Sequence, residues 1–232
     1  MQHKENIVFE YFFKFEKGEK EHFTIKLDAD KLTYINEDQT ATSDWASLEF
    51  QKCSNCPLDT SKVKYCPIAL NLVSILPAFK EHVSFEIVEF VIKTEERFYC
   101  AKTSLQHGLG SMLGIYMVTS GCPIMAKLKT MVRFHLPFAT IEETVFRSVS
   151  SYLLGQYFRS KKNLKPDWSL DGLIQIYEEV QKVNMGMAER LRSIPSEDAN
   201  INALIVLDVF AKELPQSIEE SLDDLAYLFN GP

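Results

Sequence analysis

Glycine and proline are scarce in this chain, nine of each among 232 residues. That scarcity excludes collagen-like and low-complexity architectures. No stretch rich in Gly, Ser or Pro marks a linker, and no internal repeat is present. Positive charge is in deficit: 25 Lys and Arg stand against 32 Asp and Glu, a net charge of −7. A broad nucleic-acid surface would need a basic excess, so none is expected. The common catalytic signatures are missing too, with no H-E-x-x-H, G-x-S-x-G or kinase set. "HGLGSMLG" lacks the G-K-[ST] of a phosphate loop and carries only an isolated G-x-G. "MQHKENIVFEYFF" has no apolar core followed by a small-residue cleavage site, so no secretory signal is read. Thr103 to Ala126 is uncharged and has the length of a membrane span. Its Gln106, His107, glycines and Pro123 favour a buried core helix instead. A cytoplasmic protein without membrane contact is therefore expected. Its five cysteines would stay reduced rather than build a disulfide framework.

What is present is an ordinary globular composition, 46% hydrophobic and 25% charged. At this length folding hides roughly 70–75% of the chain's surface, so the core needs no staples. One α+β unit over residues 1–232 is expected, mainly β with a cysteine loop at 53–66 up to residue 103, and helical from 104 onward. Phe9, Tyr11, Phe13 and Phe15 alternate with polar residues, "KGEK" turns the chain, and Phe23, Ile25 and Leu27 alternate again. That is a hairpin with one apolar face. "KLTYI" and "WASLEF" offer short strands on either side of the polar loop "NEDQTATSD". "SFEIVEFVIKT" and "RFYCAKT" form a second hairpin, whose first strand reads as covered on both faces. The two hairpins, Val8–Leu27 and Phe85–Thr103, are expected to share one antiparallel sheet, followed by a C-terminal helical bundle.

Helix signals dominate the remainder. Thr140 and Glu143 form a capping box before Val145, Val149, Leu153 and Tyr157. Leu173, Ile176, Val180, Val183, Met187, Leu191 and Ile194 share one helical face. Ser217 and Glu220 suggest a second capping box ahead of Leu222, Leu225 and Phe229. "NALIVLDVFAKEL" is apolar nearly all round, which predicts a central helix. Gly110 and Gly114 form G-x-x-x-G, a signal of close helix packing. The basic run from Arg159 to Lys165 reads as a solvated helix C-terminus.

The chemistry-bearing feature is the set Cys53-x2-Cys56-x9-Cys66 with Cys122 far downstream. A C-x2-C turn aims two sulfurs at one point, although one such turn alone is a weak signal. Cys56, Cys66 and Cys122 are each followed by Pro, a coincidence expected by chance about once in a thousand at average Pro usage. Proline suits the first helical position, so Cys66 and Cys122 should cap helices, where free N–H groups favour a thiolate. Gly121 fits the close of the preceding helix. These four cysteines are the expected metal ligands, with structural zinc preferred and an iron–sulfur redox or sensor centre as the alternative. His135 or His107 would substitute if Cys122 is not a ligand. Small core hydrophobes, or a redox pair at Cys53 and Cys56, remain the competing reading of the thiols. Cys100, alternating within "RFYCAK", is expected in the core.

"CSNCPL", "YCPIA", "TSGCP", "RFHLPFA", "EETVFRS" and "NALIVLDVFAKELP" together resemble a family of uncharacterised bacterial proteins. The resemblance implies a bacterial single-chain protein and carries no activity, catalytic residue or metal. Arg133, His135 and Glu142 form a further candidate constellation for general acid–base work. His135 between Phe134 and Leu136 suits a buried histidine better, and Glu143 is already engaged as a cap. The expectation is that these three side chains do not converge on one open pocket. The functional expectation is a metal-binding protein acting by interaction or regulation, with a protein partner of unknown kind.

Overall fold

The computed structural model describes residues 5–36, 42–194, 198–220 and 222–229. Four strands form one antiparallel sheet in the order β2-β1-β3-β4. They are β1 (Asn6–Phe15), β2 (Lys20–Asp28), β3 (Ile87–Lys93) and β4 (Phe98–Ser104). Gly18 closes the first hairpin at φ 92°, in the left-handed region that a Cβ disfavours. β1 lies centrally, with Phe13 opposite Glu21 of β2 and Phe90 of β3. The alternation in the sequence is a real face: Phe9, Tyr11, Phe13 and Phe15 are all buried. The Phe13 ring stands 5.0 Å from Phe90, 5.1 Å from Phe79 and 5.8 Å from Phe23.

The first short helix is α1 (Pro67–Leu72). α2 (Leu105–Thr119) leaves β4 without a loop and covers the apolar face of the sheet. A Cβ added to Gly108 would fall 2.1 Å from the Phe90 ring, so helix and sheet meet through a glycine. On its other side α2 packs against α6 (Asp198–Glu220). A Cβ added at Gly110 would stand 3.2 Å from the Ala203 carbonyl oxygen and one at Gly114 3.7 Å from Leu207, so the helices meet closely along the G-x-x-x-G face as its spacing suggests. α2 is thus enclosed from two sides, which explains an uncharged run without an amphipathic stripe. No helix among the described residues is long and apolar enough to cross a membrane.

α3 (Lys129–Arg133) is a single turn. α4 (Ile141–Lys161) starts on the expected capping box. Thr140 Oγ1 accepts from the Glu143 N–H at 3.1 Å, and the Glu143 carboxylate accepts from the Thr140 N–H at 2.8 Å. Arg159 and Lys161 lie in its last turn, where cations favour the dipole. α5 (Asp171–Arg192) buries Leu173, Val180, Val183, Met187 and Leu191 as its period requires.

Several expectations are corrected. Lys31–Ile35 makes only an isolated bridge, Leu27 to Tyr34, and Trp45–Phe50 is a 3-10 turn over Asp44–Ala46 with one bridge from Ser47 to Tyr65. β3 is covered on one face only: Val88, Phe90 and Ile92 are buried while Ile87 and Val91 are exposed. "SIEE" starts no helix, because α6 runs through Pro215 and Ser217 to Glu220 before a 3-10 segment at Leu222–Leu228. α6 packs against α2, α4 and α5, as expected of a central helix, but it is not enclosed all round, since Ile205 and Val209 are exposed. Cys100 is exposed on the outer face of β4, because the inward positions fall to its neighbours Tyr99 and Ala101. Of the loop "NEDQTATSD", residues 37–41 lie outside the described residues.

Candidate functional site

Three separate segments bring four of the five cysteines within electrostatic reach of one another. Cys53 and Cys56 sit in a turn closed by the Cys56 N–H donating to the Cys53 carbonyl at 3.0 Å. Cys66 is the extended N-cap of α1, with Pro67 at the first helical position as the sequence predicts. Cys122 follows α2, which closes at Gly121 with φ 96°. The chain after Cys122 forms a 3-10 turn over Met125–Leu128 rather than an α-helix capped by Cys122. The backbone N–H groups of Met125 and Ile124 favour the Cys122 thiolate, but burial outweighs them and raises the thiol, against the thiolate expected of a helix cap.

The four thiols are within electrostatic reach of one another. Burial, reinforced by the neighbouring Cys66, Cys56 and Cys122 sulfurs, pushes the Cys53 thiol up to about 12. Burial likewise raises the Cys122 thiol, with Cys66 and Cys56 adding to it against the two backbone N–H groups. The cause is elementary: several negative sulfurs cannot share a low-dielectric site without a cation among them. All five cysteines are free thiols. Among the described residues, no three His, Cys, Asp or Glu side chains stand together at the distances a metal ion requires. The sulfurs are gathered into one region but not closed onto one point.

α5 forms the wall of this region with residues the sequence does not single out. Glu179, Gly186 and Arg190 are seven and then four residues apart, which places them on one helical face. Asn55, between the two cysteines of the turn, donates to the Glu179 carbonyl at 2.9 Å and to its carboxylate at 2.6 Å. Gly186 lets the Cys53 sulfur approach the helix, since an added Cβ would stand 2.7 Å from it. Arg190 is 1% exposed. Its Nη1 donates to the carbonyls of Trp45 and, at 2.6 Å, Ser47, which fixes the chain entering the cysteine turn. The only signal in the sequence is a basic residue beside an apolar stripe, a pattern that a solvated arginine shares.

Neither histidine stands with the thiols. His107 is on the first turn of α2, at the opposite end of that helix from Cys122, and contacts Thr103. His135 Nε2 lies 2.7 Å from the Tyr11 hydroxyl and 3.2 Å from Ser111, where Tyr11 is fully buried. His135 also borders a cleft of about 870 Å³ lined in part by Arg97, Arg133 and Arg147. Glu142 does not line it; from the first turn of α4 its carboxylate accepts from the Tyr227 hydroxyl at 3.4 Å. The constellation Arg133, His135 and Glu142 therefore does not converge. Arg147 is committed to the Met131 and Phe134 carbonyls at 2.9 and 2.8 Å.

Burial, with the Arg147 charge second, holds the His135 imidazole down at about 3. In the unfolded chain it titrates near 6.5, so below that pH only the unfolded state gains the proton. The neutral ring's contribution is complete above pH about 6.5 and is lost as pH falls toward 3, at up to about 1.4 kcal/mol per pH unit. Urea unfolding of wild type and His135→Gln between pH 7 and 5 should show a steeper decline in wild type. Equal slopes would mean that the imidazole accepts a proton in the folded state.

Comparison with curated proteins and with solved structures finds no match. A family profile matches residues 9–230, nearly the whole chain. The protein therefore belongs to that family, a domain of unknown function, DUF6901.

Proposed function

We propose that this chain is a metal-binding protein in which Cys53, Cys56, Cys66 and Cys122 hold one structural zinc ion, and that it acts by interaction or regulation rather than catalysis. The observation that carries the reading is the gathering of four thiols from three segments, one separated from the others by more than fifty residues. Four sulfur donors suit tetrahedral zinc. The backbone N–H groups aimed at Cys122 are the kind of outer contact that steadies a metal-bound thiolate. Loading requires the four side chains to turn from their present spacing onto one ion at about 2.3 Å. It also requires the ion to displace the thiol protons that burial retains.

The test is elemental analysis with an absorbance spectrum on protein purified anaerobically under reducing conditions. One zinc per chain and no visible colour is the expected result. Iron with visible charge-transfer absorption would assign the same cysteines to an iron–sulfur redox or sensor centre. Failure to take up either metal, even when it is supplied, would leave the four residues as reduced core thiols or a redox pair.

A further inference from the structure

We propose that Arg190 is the counter-charge of the thiolate centre, and that its guanidinium sets how tightly a divalent ion is held there. The inference rests on the four-cysteine metal reading and gives α5 a specific part in it. Arg190 is among the most deeply buried large side chains of the protein. Its hydrogen bonds go to backbone carbonyls of Trp45, Ser47 and, at 3.5 Å, Gln51. Carbonyls orient the fork but supply no negative charge. Its Nε has no hydrogen-bond partner, and its guanidinium lies 5.7 Å over the Phe50 ring.

Among the described residues no carboxylate pairs with it; the charged states that favour its cation are those of Cys66, Cys53 and Cys56. An arginine cannot shed its proton in a protein, so a buried one without an anion is a standing electrostatic deficit. Four thiolates around a divalent ion have the opposite imbalance, with two negative charges in excess. Geometry puts the two side by side. Gly186, one turn before Arg190 on the same face of α5, meets the Cys53 sulfur. The Cys66 N–H donates to the Ala46 carbonyl, between the Trp45 and Ser47 carbonyls that hold the guanidinium. Arg190 needs no contact with the ion to act, because in a poorly solvated region charge is felt over several ångströms. It is therefore a positioning residue, acting through the sulfurs.

The experiment measures zinc affinity of the reduced full-length protein by competition with a chromophoric chelator, for wild type, Arg190→Gln and Arg190→Lys. Glutamine keeps a donor for the carbonyls and removes the charge; lysine keeps both a donor and the charge. Arg190→Gln should weaken zinc by about 10- to 100-fold, the usual effect of removing an outer partner of a metal ligand. Arg190→Lys should recover most of that loss. Wild-type affinity in Arg190→Gln would overturn the proposal while leaving the zinc reading intact. Equal losses in both variants would also overturn it, since the fork geometry rather than the charge would then matter. If Arg190→Gln does not fold, Arg190→Lys decides alone, and a large loss there is fatal. Wild type that takes up no zinc removes the metal reading itself, a result visible before any variant is compared.

Discussion

On the proposed four-cysteine reading, Cys122→Ser should take up less zinc than wild type and melt well below it, whereas Cys100→Ser should match wild type in both respects. A ligand that binds only the folded state stabilises it by about 4 kcal/mol when present at a thousand times its dissociation constant. For a chain of this length each kcal/mol moves the melting temperature by about 2–4 °C, so the expected fall is about 8–16 °C. Cys122 is buried, and a buried serine hydroxyl carries its own cost, so the drop alone would not identify a ligand. A strong chelator separates the two effects. With zinc removed, wild type and Cys122→Ser should converge to within about 1–2 kcal/mol, the share that belongs to packing and the hydroxyl. A gap unchanged by the chelator would make Cys122 a core thiol. Full zinc content in Cys122→Ser would remove it from the ligand set. Cys100, exposed on β4, is the matched control and should stay within about 0.5 kcal/mol.

The second large effect is expected in the sheet. Phe13→Ala should cost about 3–5 kcal/mol, the range for emptying a buried aromatic site, whereas Phe12→Ala should cost less than about 1 kcal/mol. The two residues are neighbours in β1 and point to opposite faces. Phe13 is 1% exposed and its ring meets Phe23, Phe79 and Phe90. Phe12 is only partly covered, and its ring stacks on His22 at 4.2 Å along the strand pair. Rings from β2, β3 and the 3-10 turn at Leu76–Phe79 surround Phe13 and cannot all collapse into the vacated space. Urea denaturation reads both variants directly. Comparable losses in the two would mean that the outer face of the sheet is packed as well.

Where backbone periodicity alone sets an element, the sequence was sufficient. The β1 alternation, the Thr140–Glu143 box and the α5 stripe each depend on residues close in the chain, and each appears as read, except that in the stripe Ile176 is only partly buried and Ile194 lies past the end of α5. The errors have a common origin. Cys100 and its neighbours alternate correctly, but which phase faces inward depends on the partner strand and on what covers it. "SIEE" carries a genuine local cap pattern that loses to continuation of α6, and the cost of Pro215 inside that helix is outweighed by packing. "NALIVLDVFAKEL" is apolar on faces that α6 does not bury, so composition overstated how completely that helix is enclosed.

The cysteines show the same division most clearly. Spacing and the Cys-Pro pairs determined that these residues sit in turns and at a helix start, and Cys66 and the Cys53–Cys56 turn do so. Bringing Cys122 to them depended on α2 running between sheet and α6, because that helix carries the chain across the molecule before releasing it at Gly121. Arg190 and Gly186 were beyond the reach of sequence reading. One is an arginine beside an apolar stripe and the other a glycine in a helix, and both patterns have common bland meanings. They acquire a role only when α5 lies against the cysteine turn, where one supplies charge to a buried place and the other leaves room for a sulfur. Local hydrogen bonding and side-chain period are written along the chain; which distant groups share a dielectric environment is decided by packing alone.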